Sequence, residues 1–201
     1  MFDRRSALAE RTDVGGRDGA DGRRGILITE TRGSHVAQLT AFRDASHGDR
    51  LREAVLPLLG DLPTEVGAAL EVARTTVLRL SVDQYWVVTR EASLVAGLAG
   101  AMPAGVGCVT PLPGRIRLTV EGPQVRSLLC QGIALDLHPR QFAVGRVALT
   151  ELQNSAVALL RTGESRFDLY ILRSFAVSIW DWLIDAALPM GYDVAVVHWS
   201  G

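Results

Sequence analysis

Between residues 115 and 120 polar and apolar side chains alternate strictly, with Arg115, Arg117 and Thr119 on one side and Ile116, Leu118 and Val120 on the other. A period of two sends successive side chains to opposite faces of a strand, so this run reads as a half-buried β-strand. Runs at 36–42, 75–80, 85–89, 147–152, 157–161 and 167–172 are rich in β-branched and aromatic residues and also read as strands. Ser81-Val82-Asp83-Gln84 joins 75–80 to 85–89 as a hairpin, and 162–166 is the tight turn between the last two strands. The period lengthens over 48–59, where Leu51, Ala54, Val55 and Leu58 share one face of a helix whose C-terminal end Pro57 limits. A weaker helix spans 91–102, where Gly97 and Gly100 lower the propensity but admit a close neighbour. A short helix spans 123–130. It opens on Pro123, whose fixed φ and missing N–H suit the first helical position. Residues 106–114, with Pro111 and Pro113, read as a connector, and residues 134–145 as a loop.

The helix over 174–187 breaks the amphipathic pattern. Only Ser178, Asp181 and Asp185 form a polar line in it, and the rest of its circumference is apolar. A surface helix normally has one apolar stripe, so this one is expected to be packed on two sides, by its own sheet and by a partner chain. Ser174 is placed to cap it, and Pro189-Met190-Gly191 stops it. The apolar run 194–199 is expected to pack on the body or on a neighbour.

The order strand, helix, strands, helix occurs twice. Tyr85-Trp86-Val87-Val88-Thr89-Arg90 corresponds in place to Asp168-Leu169-Tyr170-Ile171-Leu172-Arg173, and a helix followed by proline comes after each. The fold class that follows is α+β: two similar split βαβ halves, mostly antiparallel sheets with helices on one face, over 26–105 and 106–201. Residues 1–25 carry many glycines among Arg and Asp and can bury little, so they read as a flexible tail. Ser6-Ala7-Leu8-Ala9 is an apolar patch within it, open to two readings: disorder, or an arm lying on a partner.

Charge and composition narrow the function. The 201 residues carry a net charge of -1. Arginines are interleaved with acids, which speaks against nucleic acid, whose phosphates demand a basic face. No apolar run reaches membrane-spanning length, and the first residues lack a signal-peptide core, so a cytoplasmic location is expected. Cys108 and Cys130 give no disulfide framework. There is no glycine-rich dinucleotide turn, Walker sequence or zinc motif, and no metal site is expected from four scattered histidines.

The candidate residues cluster late in the chain. In Asp136-Leu137-His138-Pro139-Arg140, Asp136 can orient His138 for acid–base work, or both can fix a tight turn by bonding backbone donors. Arg140 and Arg146 suit either a carboxylate ligand or a loop or partner brace. Trp180 and Trp182 suit either a stacking platform or core and interface.

Leu135-Asp136-Leu137-His138-Pro139-Arg140-Gln141-Phe142, then Gly145-Arg146, resembles the gamma subunit family of heterotetrameric sarcosine oxidase. So do Phe167 through Ala176, including Arg173 and Phe175, and the following Trp180 to Ala187. Asp83-Gln84-Tyr85-Trp86-Val87-Val88 and Gly114-Arg115-Ile116-Arg117-Leu118 are similar more loosely. The resemblance implies a folate-binding-type fold akin to the glycine cleavage T-protein. It also implies an accessory, non-catalytic subunit with no catalytic residue, cofactor or metal site of its own. Its implied partners are the alpha, beta and delta subunits: beta carries the flavins FAD and FMN and oxidises sarcosine, alpha carries NAD and a tetrahydrofolate domain, and delta holds zinc. On this reading Asp136, His138, Arg140, Arg146, Arg173, Phe175, Trp180 and Trp182 are family-motif or interface residues. Relatives often place an acidic residue before the strand that opens the second half. Here 106–114 has none and Thr110 stands there, and the Lys-Gly-Cys-Tyr motif of folate-dependent relatives is absent. The alternatives are a free-standing folate-dependent aminomethyltransferase-like enzyme and a subunit of a related N-methyl amino acid dehydrogenase.

Overall fold

In chain order the elements are β1 (Ile26–Arg32), β2 (His35–Ala41), α1 (His47–Leu59), β3 (Ala69–Val72), β4 (Thr75–Arg79), β5 (Gln84–Thr89), α2 (Ala92–Ala101), β6 (Gly107–Pro111), β7 (Arg115–Glu121), α3 (Val125–Leu129), β8 (Val147–Leu152), β9 (Ser155–Gly163), β10 (Arg166–Leu172), α4 (Ala176–Ala187) and β11 (Tyr192–His198). They come from a computed structural model that describes residues 6–11, 15–42 and 47–198. The strands form two sheets, ordered β11-β1-β7-β10-β9-β8 and β3-β4-β5-β2-β6. Apart from the parallel β1–β11 pair, the registered ladders are antiparallel. Among the described residues no helix is long and apolar enough to cross a membrane.

The smaller unit comprises Gly33–Pro113 with Gly145–Ala148. Its core takes one face of β2, β4 and β5, through Leu39, Val77, Tyr85 and Val87, and covers it with Leu51 and Val55 of α1 and Leu98 of α2. The period-two strands and the period-3.6 helix therefore bury the stripes that the sequence pattern assigns to them. The larger unit comprises Met1–Arg32, Gly114–Val144 and Leu149–His198. Phe167, Tyr170, Leu118, Leu128 and Trp180 are among its fully buried side chains, and α3 packs on α4.

The internal repeat is real in three dimensions. In each copy a hairpin, β4–β5 or β9–β10, lays its second strand antiparallel to the first strand of the copy, β2 or β7. Thus β5 and β10 hold equivalent places, as the Tyr85/Asp168 correspondence requires. The division into halves at 105/106 is corrected by the pairing. Strand β1 joins the sheet of the second half through β7, and β6 joins the sheet of the first half through β2. The two copies exchange their leading strands.

Other expectations change too. Residues 107–111, expected as a connector, form strand β6. It is an edge strand ending at Pro111, where the missing N–H removes no central ladder bond. Residues 26–32 and 69–72 add strands that no clear alternation marks. Pro57 lies within α1, two residues short of its end. Ser174 does not cap α4. It sits in a 3₁₀ turn over Arg173–Phe175, and Phe175 takes the cap position without a side-chain bond. The run 194–199 becomes most of β11, and Trp199 lies outside the described residues. Within the N-terminal stretch expected to bury little, Leu8 is the exception among the described side chains. Leu8 is 0% exposed, its N–H donates to the Ser6 hydroxyl at 3.0 Å, and that hydroxyl donates to buried Glu30. Arg17 makes an antiparallel bridge with Tyr192.

Candidate functional site

The loop between α3 and β8 is built around two apolar anchors, Leu137 and Phe142, both buried. Phe142 stacks on Phe167, with centroids 6.4 Å apart and planes 9° from parallel. Buried Arg161 clamps the loop from β9: its guanidinium donates to the carbonyls of Phe142 at 2.8 Å and Glu164 at 2.7 Å and lies over the Phe167 ring. The Asp136 carboxylate accepts the backbone N–H of His138 at 2.8 Å. His138 Nδ1 accepts the N–H of Arg140 at 3.3 Å, and its carbonyl accepts the N–H groups of Gln141 and Phe142 at 2.9 Å. Asp136 therefore fixes the backbone rather than the imidazole. Of the two readings open for this segment, the loop brace describes the bonds that are made, and an oriented acid–base pair does not.

The other candidates lie elsewhere. Arg146 belongs to the smaller unit and faces Glu65 at 3.6 Å, with the Glu65 side chain largely in water and that of Arg146 partly so, and the pair contributes little. Its neighbours Gly145 and Val147 bond the backbone of Ala69 and Gly67, which makes this arginine part of a loop attachment. The Arg173 N–H donates to the Gly114 carbonyl at 2.7 Å. Phe175, 41% exposed, and Val177 present apolar surface at the start of α4. Trp180 is 1% exposed, which removes it as a stacking platform or interface anchor: it is core of its own unit. Trp182 is half-buried over Gly132, where a Cβ would lie 2.7 Å from ring atom Cζ2. The tryptophans separate because residues two apart on a helix point about 200° apart.

The groups that the sequence reading passed over are on the sheets. Thr119 and Asp168 lie directly opposite each other on β7 and β10. Asp168, 0% exposed, accepts the Thr119 hydroxyl at 2.7 Å and pairs with Arg117 at 2.7 Å. A lone acid inside Phe-Asp-Leu-Tyr-Ile, facing a strand whose polar side reads Arg-Thr, was the available signal. Burial also pushes the Arg115 guanidinium, on that same side of β7, below the ordinary arginine value. Glu30, likewise buried, pairs with Arg32 at 2.7 Å. In the smaller sheet Thr110 stands opposite Gln38. The Gln38 amide is already used, accepting from Trp86 Nε1 at 3.1 Å and donating to Thr40 at 3.0 Å.

The turn from β7 to α3 is where a strand–helix glycine would cradle a dinucleotide phosphate. Gly122, at φ +133°, instead approaches the carbonyl of Gly25 so closely that a Cβ would collide with it. The chain's own backbone fills that cradle, and α3 has only five residues, so a dinucleotide does not fit this turn.

Residues 104–188 match the model of the sarcosine oxidase, gamma subunit family. The sarcosine oxidase subunit gamma of Corynebacterium sp. (strain U-96) is 38% identical over 128 residues, 62% of either chain. The Arthrobacter subunit gamma is 37% identical over the same length, 62% of this chain and 63% of that one. These matches thus span less than two thirds of the curated relatives. The structural likeness is longer. A chain of the heterotetrameric sarcosine oxidase from Corynebacterium sp. U-96, solved with pyrrole 2-carboxylate, is 31% identical with TM-score 0.80, covering 92% of this chain and 94% of that one. The glycine cleavage aminomethyltransferase T from Bartonella henselae shares the fold at 15% identity and TM-score 0.68, over 95% of this chain and 58% of that one. With similarity of that level along nearly its whole length, and the loop motif folded as a braced unit, the chain belongs to the sarcosine oxidase gamma subunit family.

Proposed function

We propose that the chain is the accessory, non-catalytic gamma subunit of a heterotetrameric sarcosine oxidase. In that complex sarcosine is oxidatively demethylated and the one-carbon unit passes to tetrahydrofolate. The observation that carries the reading is the likeness, over 92% of the chain, to a chain of a solved heterotetrameric sarcosine oxidase. Its partners are then the alpha, beta and delta subunits, which hold FAD, FMN, NAD, tetrahydrofolate and zinc between them. The chemistry of this chain supports an accessory role. One-carbon transfer needs an acid or base beside the bound amine. Asp136 Oδ1 and His138 Nδ1 bond the backbone of their own loop and not each other, and β6 offers Thr110 where a carboxylate would serve.

The test is co-expression of the three other subunits with and without this chain, alongside calorimetric titration of the purified chain with tetrahydrofolate. The expected result is a complex that falls apart or loses yield without this chain, and no micromolar folate binding by the chain alone. Micromolar binding that His138→Ala abolishes would replace the accessory reading with a transferase.

A further inference from the structure

The larger sheet ends in β11, and among the described residues the outer side of that strand is paired only at Tyr192, by Arg17. Arg17 exchanges both backbone bonds with Tyr192, its N–H donating to the Tyr192 carbonyl at 2.7 Å and its carbonyl accepting the Tyr192 N–H at 2.8 Å. The polar groups of Tyr192 therefore face away from β1. Strand geometry alternates, so the N–H and C=O of Val194 and Val196 face the same way, while those of Asp193, Ala195 and Val197 face β1. Among the described residues the outward groups of Val194 and Val196 have no backbone partner.

The other sheet edges are guarded. Strand β3 is four residues long and carries Glu71, β6 is five residues long and ends at Pro111, and β8 carries exposed Glu151 with its start bonded to Gly67. Strand β11 is seven residues long, with no Lys, Arg or Pro. Its one acid, Asp193, is tied to Arg24, which leaves Val194-Ala195-Val196-Val197 uncharged. Soluble proteins avoid such an edge unless something pairs with it.

We infer that the outer edge of β11 is an assembly site, which takes an extended segment of another subunit as an added antiparallel strand. The antiparallel sense follows from Arg17, which already seats extended backbone at the first position. Two outward residues spaced about 6.8 Å apart accept rungs beyond it. The incoming strand needs apolar side chains on both faces, to meet Val194 and Val196 on one and Ala195 and Val197 on the other. A second copy of this chain fits less well, because the likeness is to a chain of a heterotetramer.

The inference rests on the reading of the chain as an oxidase subunit, and its test separates the two. Val196→Pro deletes one outward N–H and leaves the ladder to β1 intact. The variant chain should melt within about 2 °C of the wild type and recover the co-expressed subunits about tenfold less well. Hydrogen exchange on the wild-type chain supplies the second readout. The Val194 and Val196 amides should exchange quickly in the free chain and slowly in the complex. If Val196→Pro assembles as well as wild type, or these amides stay fast in the complex, the edge is not an assembly site although the subunit reading stands. Slow exchange in the free chain would equally overturn it, because the edge would already be filled. If the wild-type chain does not join the complex at all, the subunit reading itself fails.

Discussion

Asp168 shows what a single residue does in this fold. It is a fully buried carboxylate held by Arg117 and the Thr119 hydroxyl, each at 2.7 Å. Removing two charges from water costs several kcal/mol per ion, so the pair adds little net stability over a matched apolar pair. Breaking it is another matter. Asp168→Ala removes the carboxylate that faces the Arg117 guanidinium, only 12% exposed, and should cost about 3–5 kcal/mol. Arg117→Met with Asp168→Leu should recover most of that loss in chemical denaturation. A double variant as unstable as the single one would show that the pair contributes through more than mutual neutralisation. The charge was legible in the sequence, but its burial was not, because period-two alternation assigns polar residues to a wet face. That assignment fails here at Thr119 and Asp168. His138 shows the opposite limit. Its neighbours announced a tight turn, and the bonds it makes with Arg140, Gln141 and Phe142 are those of a turn.

At the scale of elements, the N-terminal segment carries more weight than its composition indicates. Glycine and charge are abundant in it, and composition averages out the single side chain that matters. Leu8 is fully buried, with Ser6 bonded to Glu30 just before it and Arg11 facing Asp181 of α4 at 3.3 Å just after it. The Arg11–Asp181 pair is half in water and worth well under 1 kcal/mol, so the attachment depends on Leu8. Leu8→Ala should therefore lower stability by about 2–4 kcal/mol, read as an earlier denaturation midpoint, whereas Arg11→Ala should hardly move it. Equal effects would mean that the segment is held by charge. The periodic elements were the legible ones: α1, β7 and the two hairpins follow their hydrophobic pattern, while α4, apolar nearly all round in sequence, buries one stripe through Ala176, Ile179, Trp180, Leu183 and Ala187. Of the strands that escaped notice, β3, β6 and β11 lie at sheet edges, and β1 is held between β11 and β7. There neighbours supply the pairing and intrinsic propensity says little.

For the whole molecule the decisive feature is the exchange of leading strands between the two copies of the repeat. A split at residue 105, natural from the repeat in sequence, gives an N-terminal piece that keeps β1 without β7 and loses β6 from the edge of its own sheet. The piece 33–113 is different, because all five strands β2 to β6 and both helices of the smaller unit are inside it. Its core of Leu39, Leu51, Val55, Val77, Tyr85, Val87 and Leu98 is drawn wholly from that stretch. The shorter piece should thus fold where the longer one does not. In the longer piece the orphaned β1, with Ile26 and Ile28 buried in the native sheet, becomes an unpaired apolar edge prone to association. The expected outcome is a cooperative thermal transition and a monomeric elution for 33–113, and a broad, concentration-dependent transition for 1–105. If 1–105 melts cooperatively as a monomer, the exchanged strands are accessories and the repeat in sequence is the folding unit after all. If neither piece folds, the strands from the other copy are needed for both sheets, and the chain folds as one cooperative body.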